Sequence, residues 1–522
     1  MPETSNSNAP LGINPWVIAV AVMLSTFLEV LDTSVVNVSL PHIAGSLSAT
    51  VDEATWVLTS YLVANAIVLP ITGWLANYFG RKRLLLTAVT GFTLASFLCG
   101  IAPTLPLLVF FRILQGASGG CLQPISQAVL LETFPPEQRG KAMAFWGMGI
   151  VVAPILGPTL GGWLTYNYSW RWVFYINLPI GIASLIMTKL YVFDPSYIRR
   201  RGSGVDVWGL GLLAVGIGAL QIVLDKGQED DWFGSHFIVI LGLIALAGLA
   251  AFIIRELMAR DPIVHLRVFK NRTYSTGVFL MTLLGFVLYG SLVALPLFLQ
   301  ILLNYTPLAA GLWTSPRGLG SLIFMPICGI LLSRRWDARG LLAFGLLIAA
   351  AALYMFSQFT LQSGTWNIFW PQLIQGAGMA FVFVPLTTVT MDPIPNHEMG
   401  NATSLFNLMR NLGGSMGISF ATTLIARRSQ FHQQRLAGHM NGFRPAIQHA
   451  LAGVQSALVS HGASAPVARH QALALLYALL QQQAALLSYV DSFWVFAVIF
   501  LLMTPLVWIM RRPRSGRAVA AH

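Results

Sequence analysis

The sequence predicts an all-α integral membrane protein with fourteen transmembrane helices. Of its 522 residues, 56% are hydrophobic and only 10% are charged, which excludes a soluble globular protein of this length. Apolar stretches of about 20 residues, long enough to cross a bilayer as a helix, recur along the chain. Basic residues concentrate in alternate connections between these stretches, as expected for a multi-span membrane protein.

Fourteen stretches meet the length criterion. Their predicted bounds, in chain order, are about 15–41, 54–76, 83–102, 105–131, 140–166, 170–192, 205–225, 235–257, 274–302, 308–332, 338–360, 366–391, 400–427 and 488–510. Basic residues such as Arg81, Lys82 and Arg83 follow even-numbered spans, whereas the short opposite connections carry only Arg171 and Lys226. This asymmetry predicts that both termini are cytoplasmic. It also explains the net charge of +12 without nucleic-acid binding, because short basic loops face anionic lipid.

Two similar segments lie about 260 residues apart. FRILQGASGGCLQP begins at residue 111 and PQLIQGAGMAFVFVP at residue 371, and both place Gln-Gly-Ala before a proline. Such a repeat is typical of transporters built from two halves with the substrate between them. We therefore predict a six-helix N-terminal half over 1–200 and an inserted transmembrane hairpin with a cytoplasmic linker over 201–270. A six-helix C-terminal half follows over 271–522 and includes an outer loop over 428–487.

Ionisable residues inside the first and fourth spans are the main candidates for function. Charges such as Glu29, Asp32 and Arg112 are costly in a bilayer and usually face the interior of the helix bundle. At about 1.5 Å per residue, Arg112 lies ~10 Å and Asp32 ~13 Å below the outer ends of their spans, so the two can pair. Glu29 shares a helix face with Asp32, and Gln115 lies one turn from Arg112.

We predict that these carboxyl groups bind and release protons. Burial and a neighbouring arginine shift the pKa of a carboxyl group in opposite directions, so protonation can depend on what else is bound. The alternative is a static ion pair that orients two helices. The residues alone leave open whether Glu29 or Asp32 carries the proton, and they leave sodium coupling open.

Two arginines of the second half, Arg317 and Arg410, lie near the predicted midplane of their spans. Three interpretations apply to them: contact with an anionic group on the substrate, contact with Glu29 or Asp32, or packing on backbone carbonyls. Further residues predicted to line an apolar substrate cavity are Gln115, Tyr61, Trp146, Tyr289 and Phe381.

The segment GWLANYFGRKRLLL, residues 73–86, connects the second and third spans. Gly73 permits close contact with another helix, and Gly80 permits a tight turn. Arg81 and Lys82 are predicted to lie at the cytoplasmic lipid headgroups.

The segment APILGPTLGG, residues 153–162, lies in the fifth span. Gly157, Gly161 and Gly162 are predicted to form a flat face for close helix packing. Pro158 removes one backbone donor and is predicted to bend the helix.

These motifs, with LDTSVVNVSLP in the first span and the inserted pair of spans, resemble one transporter family. The chain is similar to the fourteen-helix drug–proton antiporters of the EmrB/QacA type, within the major facilitator superfamily, and most similar to the EmrB branch. The resemblance implies the major facilitator fold, with two six-helix halves plus two inserted helices. It also implies that Asp32 is the proton-coupling acid, that Arg112 is its partner, and that drugs bind between the halves. Asn77 stands where the family has an aspartate that latches the halves together, which implies a weaker latch.

The predicted function is proton-coupled multidrug efflux of hydrophobic and amphipathic compounds by alternating access. The EmrB branch works with a periplasmic adaptor protein and an outer-membrane channel, so the resemblance implies these partners and the bacterial inner membrane. The alternatives are a dedicated exporter of a metabolite such as a siderophore or fatty acid, and, more remotely, a non-transporting receptor or scaffold. An enzyme is not predicted, because the sequence lacks a P-loop and a nucleophile elbow. The ten histidines lack metal-ligand spacing, so neither a metal nor a cofactor is expected.

Overall fold

The structure is a computed structural model that describes residues 14–194, 206–259, 262–440 and 445–511. The regular secondary structure of these residues is helical, as a bilayer requires of a chain that does not form a closed barrel. The N-terminal half contains α1 (Pro15–Ser46), α2 (Val51–Ala54), α3 (Trp56–Val68), α4 (Thr72–Phe79), α5 (Arg81–Ile101), α6 (Leu105–Gly119), α7 (Leu122–Thr133), α8 (Arg139–Asn167), α9 (Trp172–Tyr175) and α10 (Asn177–Tyr191).

The inserted pair is α11 (Val207–Lys226) and α12 (His236–Met258). The C-terminal half contains α13 (Arg272–Ile301), α14 (Pro307–Thr314), α15 (Pro316–Ser333), α16 (Ala338–Phe356), α17 (Thr365–Met391), α18 (Met399–His439), α19 (Pro445–Ser460) and α20 (Ala465–Leu506). Several spans consist of two consecutive helices, such as α3 with α4 and α6 with α7.

Thirteen helical segments of the described residues are long and apolar enough to cross a membrane. Helix α18 is the fourteenth member of the bundle, since it packs against α13, α20 and α7. It is less apolar than the others because it buries the polar side chains of Thr403, Asn407 and Arg410 between other helices. The predicted fold class, with fourteen helices in two halves plus an inserted pair, is therefore confirmed.

The two halves meet along α8 and α15 on one side and along α7 and α18 on the other. Helix α11 contacts both α3 and α18, so the inserted pair lies beside this interface. The predicted boundary near residue 200 falls in 195–205, outside the described residues. The predicted boundary near residue 270 falls between a 3₁₀ turn, Leu266–Lys270, and the start of α13.

The described residues of the segment 428–487, predicted as an outer loop with one helix near its end, are largely helical. Helix α18 continues to His439, α19 follows, and α20 already begins at Ala465. At about 1.5 Å per residue, α18 and α20 are each ~60 Å long, about twice the thickness of a bilayer's hydrocarbon core. The prediction ended the thirteenth span at its first outer charges, but residues 427–437 contain neither proline nor glycine to end a helix. The amphipathic or buried helix predicted in HQALALLYALLQQQAALL is confirmed as part of α20.

Candidate functional site

The predicted contact between Asp32 and Arg112 is present at the centre of the N-terminal half. Arg112 Nη1 lies 2.6 Å from Asp32 Oδ2, and both side chains are 0% exposed. Gln115 Nε2 and Asn177 Nδ2 donate to Asp32 Oδ1 at 2.9 and 2.7 Å. Helices α1, α6 and α10 thus meet on one carboxylate, whose two oxygens accept three hydrogen bonds.

Arg112 makes several contacts in this network, although its buried Nη2 has no hydrogen-bond partner among the described residues. Its Nε donates to the carbonyl oxygen of Val57 at 3.0 Å, and Nη1 also donates to Gln115 Oε1 at 2.7 Å. The guanidinium carbon lies 4.1 Å from the centre of the Tyr61 ring, a cation–π distance. Gln115 and Tyr61, both predicted to line the substrate cavity, are buried components of this charged network, and their contact with a substrate stays a prediction.

Glu29 lies one helical turn deeper on α1 and is much less satisfied. Its Oε1 accepts a hydrogen bond from Asn65 Nδ2 at 2.9 Å. Its Oε2 is buried and accepts no hydrogen bond from the described residues. Glu29 also lies within electrostatic range of Arg410 of the C-terminal half. Glu29 is therefore a buried acid whose surroundings include a cation from the opposite half.

Arg410 reaches from the C-terminal half into the N-terminal half. Its Nη2 donates to Gln123 Oε1 on α7, and the side chain is 2% exposed. One turn earlier on α18, Asn407 Nδ2 donates to Gln127 Oε1 at 2.6 Å. These two contacts hold α18 against α7, and direct contact of Arg410 with Glu29, one of its three interpretations, stays a prediction.

Arg317 does not reach either acid of α1. Its Nε donates to Gln372 Oε1 at 3.2 Å, and its Nη2 to Ser291 Oγ at 3.5 Å. Both partners belong to the C-terminal half, on α17 and α13. None of the described acids forms an ion pair with Arg317.

The turn between α4 and α5 joins the halves where the sequence placed a motif. A Cβ added to Gly73 would lie 2.6 Å from the backbone nitrogen of Asn401 on α18, so only glycine permits this contact. Gly80 has a φ of +90°, which favours glycine. Asn77, which replaces the latch aspartate of the family, is exposed and makes no hydrogen bond within the described part of the chain.

Arg81 and Lys82 are not simple headgroup anchors. The Arg81 side chain is 1% exposed and forms an ion pair with Glu132 at the end of α7. The backbone nitrogen of Lys82 donates to Asp194 Oδ1 at 2.8 Å, while its side chain is partly buried. The pairing of Arg81 draws α5 and α7 together at the base of the N-terminal half.

The glycines of α8 behave differently from one another. A Cβ added to Gly157 would lie 2.3 Å from Ser34 Cβ, and one added to Gly161 would lie 2.7 Å from the Val35 carbonyl oxygen. At Gly162 the nearest atom would be 4.0 Å away, so the prediction that it shares this tight face was wrong. Helix α8 continues without a break through Pro158. A Cβ added to Gly311 of α14 would lie 3.7 Å from the Pro158 Cβ.

Comparison with known proteins agrees with this architecture. The model of the Major Facilitator Superfamily matches residues 22–418. The multidrug export protein EmrB of Escherichia coli K12 is 38% identical over 97% of this chain and 98% of its own length. The fatty acid resistance protein FarB of Neisseria gonorrhoeae is 40% identical over 95% of this chain and 96% of its own.

The chain belongs to the major facilitator superfamily, in its EmrB branch. Among solved structures, the human organic anion transporter MFSD10 superposes with a TM-score of 0.62 at 13% identity, covering 95% of this chain and 100% of that chain. The proton:xylose symporter XylE superposes with a TM-score of 0.58 at 16% identity, covering 95% of both chains. At these identities the likeness shows the fold alone.

The aromatic residues predicted to line a substrate cavity lie in different places of this superfamily fold. Trp146 is 0% exposed and stacks on Phe383 across the interface between the halves, with ring centres 6.1 Å apart. Phe381 is buried within the C-terminal half against Phe324 and Phe344, and Tyr289 is partly buried. Contact of these residues with a substrate stays a prediction.

Sequence reasoning missed the amides that complete the network. Asn65, Gln123 and Asn177 are buried and contact Glu29, Arg410 and Asp32 respectively. A signal for them was available, because uncharged amides within spans also lose water and need hydrogen-bond partners.

Proposed function

We propose that this superfamily member is a proton-coupled multidrug exporter that moves hydrophobic and amphipathic compounds by alternating access. The relatives named multidrug export proteins support the export of drugs. The observation that carries the proton coupling is Glu29, a buried carboxyl with one unpaired oxygen among the described residues, within electrostatic range of Arg410 of the other half. Its protonation state changes the electrostatic attraction between the two halves.

Glu29 is a better proton carrier than Asp32 in this arrangement. Protonation of Asp32 would disrupt a 2.6 Å contact with Arg112 and leave a buried guanidinium without its anion. Protonation of Glu29 leaves its single hydrogen bond from Asn65 in place and removes a partly unsatisfied buried charge. In this proposal Asp32 is the fixed anion that positions Arg112, and Glu29 exchanges the proton.

The same geometry gives a direction to the cycle. Arg410 lies about 11 residues, or ~16 Å, from the start of α18, near the middle of the membrane. The contacts that α18 makes with the N-terminal half before Arg410, at Asn401 and Asn407, lie on the proposed cytoplasmic side. A charged Glu29 attracts Arg410 and favours closure on that side. A proton taken up from outside removes this attraction and favours opening to the cytoplasm, where the proton leaves and substrate enters. This order corresponds to antiport.

The orientation and the assembly are part of the proposal. Both termini are placed in the cytoplasm of the bacterial inner membrane because the basic connections follow even-numbered spans. The parts 1–200 and 271–522 are proposed to rock against each other, with 201–270 beside them. The helices of 428–487 then project on the outer side, where a periplasmic adaptor and an outer-membrane channel would complete a tripartite pump.

The alternative is a dedicated exporter of an acidic metabolite. One relative, 40% identical to this chain, is named a fatty acid resistance protein, and Arg317 is a buried cation without an acidic partner among the described residues. A growth assay with unrelated drugs separates the alternatives. Protection against several neutral and acidic drugs supports multidrug export, whereas protection against fatty acids alone supports the alternative.

Proteoliposomes with an imposed pH gradient test the coupling. We expect Glu29→Gln to bind substrate but to lose uphill transport, because the amide cannot exchange a proton. The matched control is Glu53→Gln, which neutralises an exposed carboxyl group between α1 and α3 and should transport like the unmodified protein. Uphill transport at the full rate by Glu29→Gln would show that this residue is not the coupling site.

A further inference from the structure

Part of the C-terminal half resembles the N-terminal network, which consists of Asp32, Arg112 and Gln115. A Cβ added to Gly116 would lie 2.3 Å from the carbonyl oxygen of Tyr61, and one added to Gly376 would lie 1.9 Å from that of Arg317. Each glycine follows the glutamine of a Gln-Gly-Ala repeat, so Arg317 occupies the place that Tyr61 occupies in the other half.

The equivalence extends to the glutamines and to their acceptors. Gln115 donates to Asp32 on α1, the first helix of its half. Gln375 donates to Ser291 on α13, the first helix of the other half, at 3.5 Å. Ser291 therefore stands where the N-terminal network has its carboxylate. We call Arg317, Gln372, Gln375 and Ser291 the C-half cluster.

The charges of the two networks do not balance in the same way. In the N-terminal half, Arg112 and Asp32 neutralise each other at 2.6 Å. In the C-half cluster the cation is present, on a different helix, but a serine replaces the anion. Its contacts are also longer, at 3.2, 3.5 and 3.5 Å. Bonds of this length contribute less than those of the N-terminal network.

Several polar atoms of the cluster have unused hydrogen-bonding capacity. Arg317 Nη1, Gln372 Nε2 and Gln375 Oε1 are buried and have no partner within the ranges that the structure describes. All four residues of the cluster are at most 8% exposed. A buried guanidinium with a free N–H face and a free amide donor beside it matches the planar, two-oxygen geometry of a carboxylate.

The cluster also lies beside the α8–α15 interface between the halves, which opens in the proposed alternating-access cycle. Gly318, the residue after Arg317, is in contact with Ile155 of α8 in the opposite half. Further along the same interface, Gly147 contacts Met325, and Trp146 stacks on Phe383. An anion that reaches Arg317 between separated halves thus meets a charged end and an apolar surface.

We infer that the C-half cluster binds the carboxylate of an amphipathic acid, whose hydrocarbon part lies along the α8–α15 interface. This inference rests on the proposed transport function and names a substrate class for it. The ligand supplies the negative charge that Ser291 lacks, so the two halves of the molecule have different functions. Glu29 of the N-terminal half exchanges the proton, and the C-half cluster recognises acidic substrates.

Binding to the full-length chain in lipid nanodiscs tests this inference. Radiolabelled decanoate is the probe, methyl decanoate is its neutral counterpart, and binding to protein-free nanodiscs is subtracted. We expect Arg317→Gln to weaken decanoate binding about tenfold or more, because a charge-assisted hydrogen-bonded pair is lost. Binding of methyl decanoate should stay unchanged. Arg334→Gln, the same substitution at the exposed end of α15, should bind both probes like the unmodified protein.

A second variant keeps the inference testable if Arg317→Gln does not fold. Ser291→Asp supplies an internal anion to Arg317 and should displace decanoate while stabilising the fold. Unchanged decanoate binding in Ser291→Asp, or an equal loss of both probes in Arg317→Gln, would overturn the inference. Because the assay uses no pH gradient, its result is independent of Glu29. If Glu29→Gln loses coupling but Arg317→Gln binds decanoate normally, only the inference about the C-half cluster fails. If Glu29→Gln stays coupled but Arg317→Gln loses decanoate binding, only the proposal about Glu29 fails.

Discussion

Replacement of Asp32 by asparagine removes the anion that faces Arg112 without changing the shape of the side chain. In the structure both oxygens of Asp32 accept hydrogen bonds, and every neighbour within hydrogen-bonding distance is a donor. The amide group of asparagine would therefore point a donor at another donor. Since Arg112 is 0% exposed, water does not replace the missing charge.

Breaking a buried ion pair by removing one partner costs about 3–5 kcal/mol of the free energy of unfolding. Arg112 keeps its hydrogen bonds to Val57 and Gln115 and its contact with the Tyr61 ring. These contacts offset part of the loss, so we expect the lower end, about 3 kcal/mol. Arg112→Gln in the same chain removes the unpaired cation, so the double variant should be more stable than the sum of the two single effects.

Denaturant unfolding of the purified variants in detergent measures these differences, and Glu53→Gln serves as the exposed control. Transport by Asp32→Asn, corrected for the folded fraction, should still respond to a pH gradient. If Asp32→Asn unfolds at the same free energy as the unmodified protein, the pair is not a structural support. If it is also fully folded but uncoupled, Asp32 and not Glu29 carries the proton.

Two further predictions concern helix contacts and pH. Gly157→Ala should destabilise the protein by about 1–3 kcal/mol and slow transport, because its Cβ would lie 2.3 Å from Ser34 Cβ. Gly162→Ala, by contrast, should match the unmodified protein in unfolding and transport assays. Equal effects of both substitutions would contradict the packing. Hydrogen bonds from Arg255 lower the pKa of Asp206 below its usual value. The stability from this pair is therefore present above the usual aspartate pKa and is lost as the pH falls through the folded-state value. Because Arg255 is 42% exposed, Asp206→Asn, which keeps the helix cap, should cost less than about 1 kcal/mol near neutral pH. A difference in thermal midpoint that persists at about pH 2 would refute the ion-pair origin.

Much of the fold was predictable because the bilayer imposes one length on every span. The predicted start of the first span, at residue 15, coincides with the start of α1, and the predicted end of the ninth span, at residue 302, lies one residue beyond α13. The continuation of α18 beyond residue 427 and the helix α19 escaped prediction because this length rule applies only to the part of a helix inside the bilayer. The charges at residues 427 and 428 fit both a loop and a helix that leaves the membrane, and only the lack of proline and glycine in 427–437 favours the helix.

The site was predictable only in part. Equal depth in the bilayer was enough to pair Asp32 with Arg112, since both charges need a partner away from lipid. Depth did not show that Asn177 would reach the same carboxylate, or that Asn77 would be exposed. Nor did it show that Arg317 would stay within its own half while Arg410 crosses to the other.

The sequence by itself determined which segments cross the membrane, the repeat of two halves, and the depth of each charged residue. Hydrophobic length and residue spacing set these properties along one direction, the membrane normal. Only the tertiary structure decided which side chains at the same depth meet around the helix axes. That choice depends on the rotation and tilt of each helix, which arise from packing with all its neighbours and leave no periodic mark in the sequence.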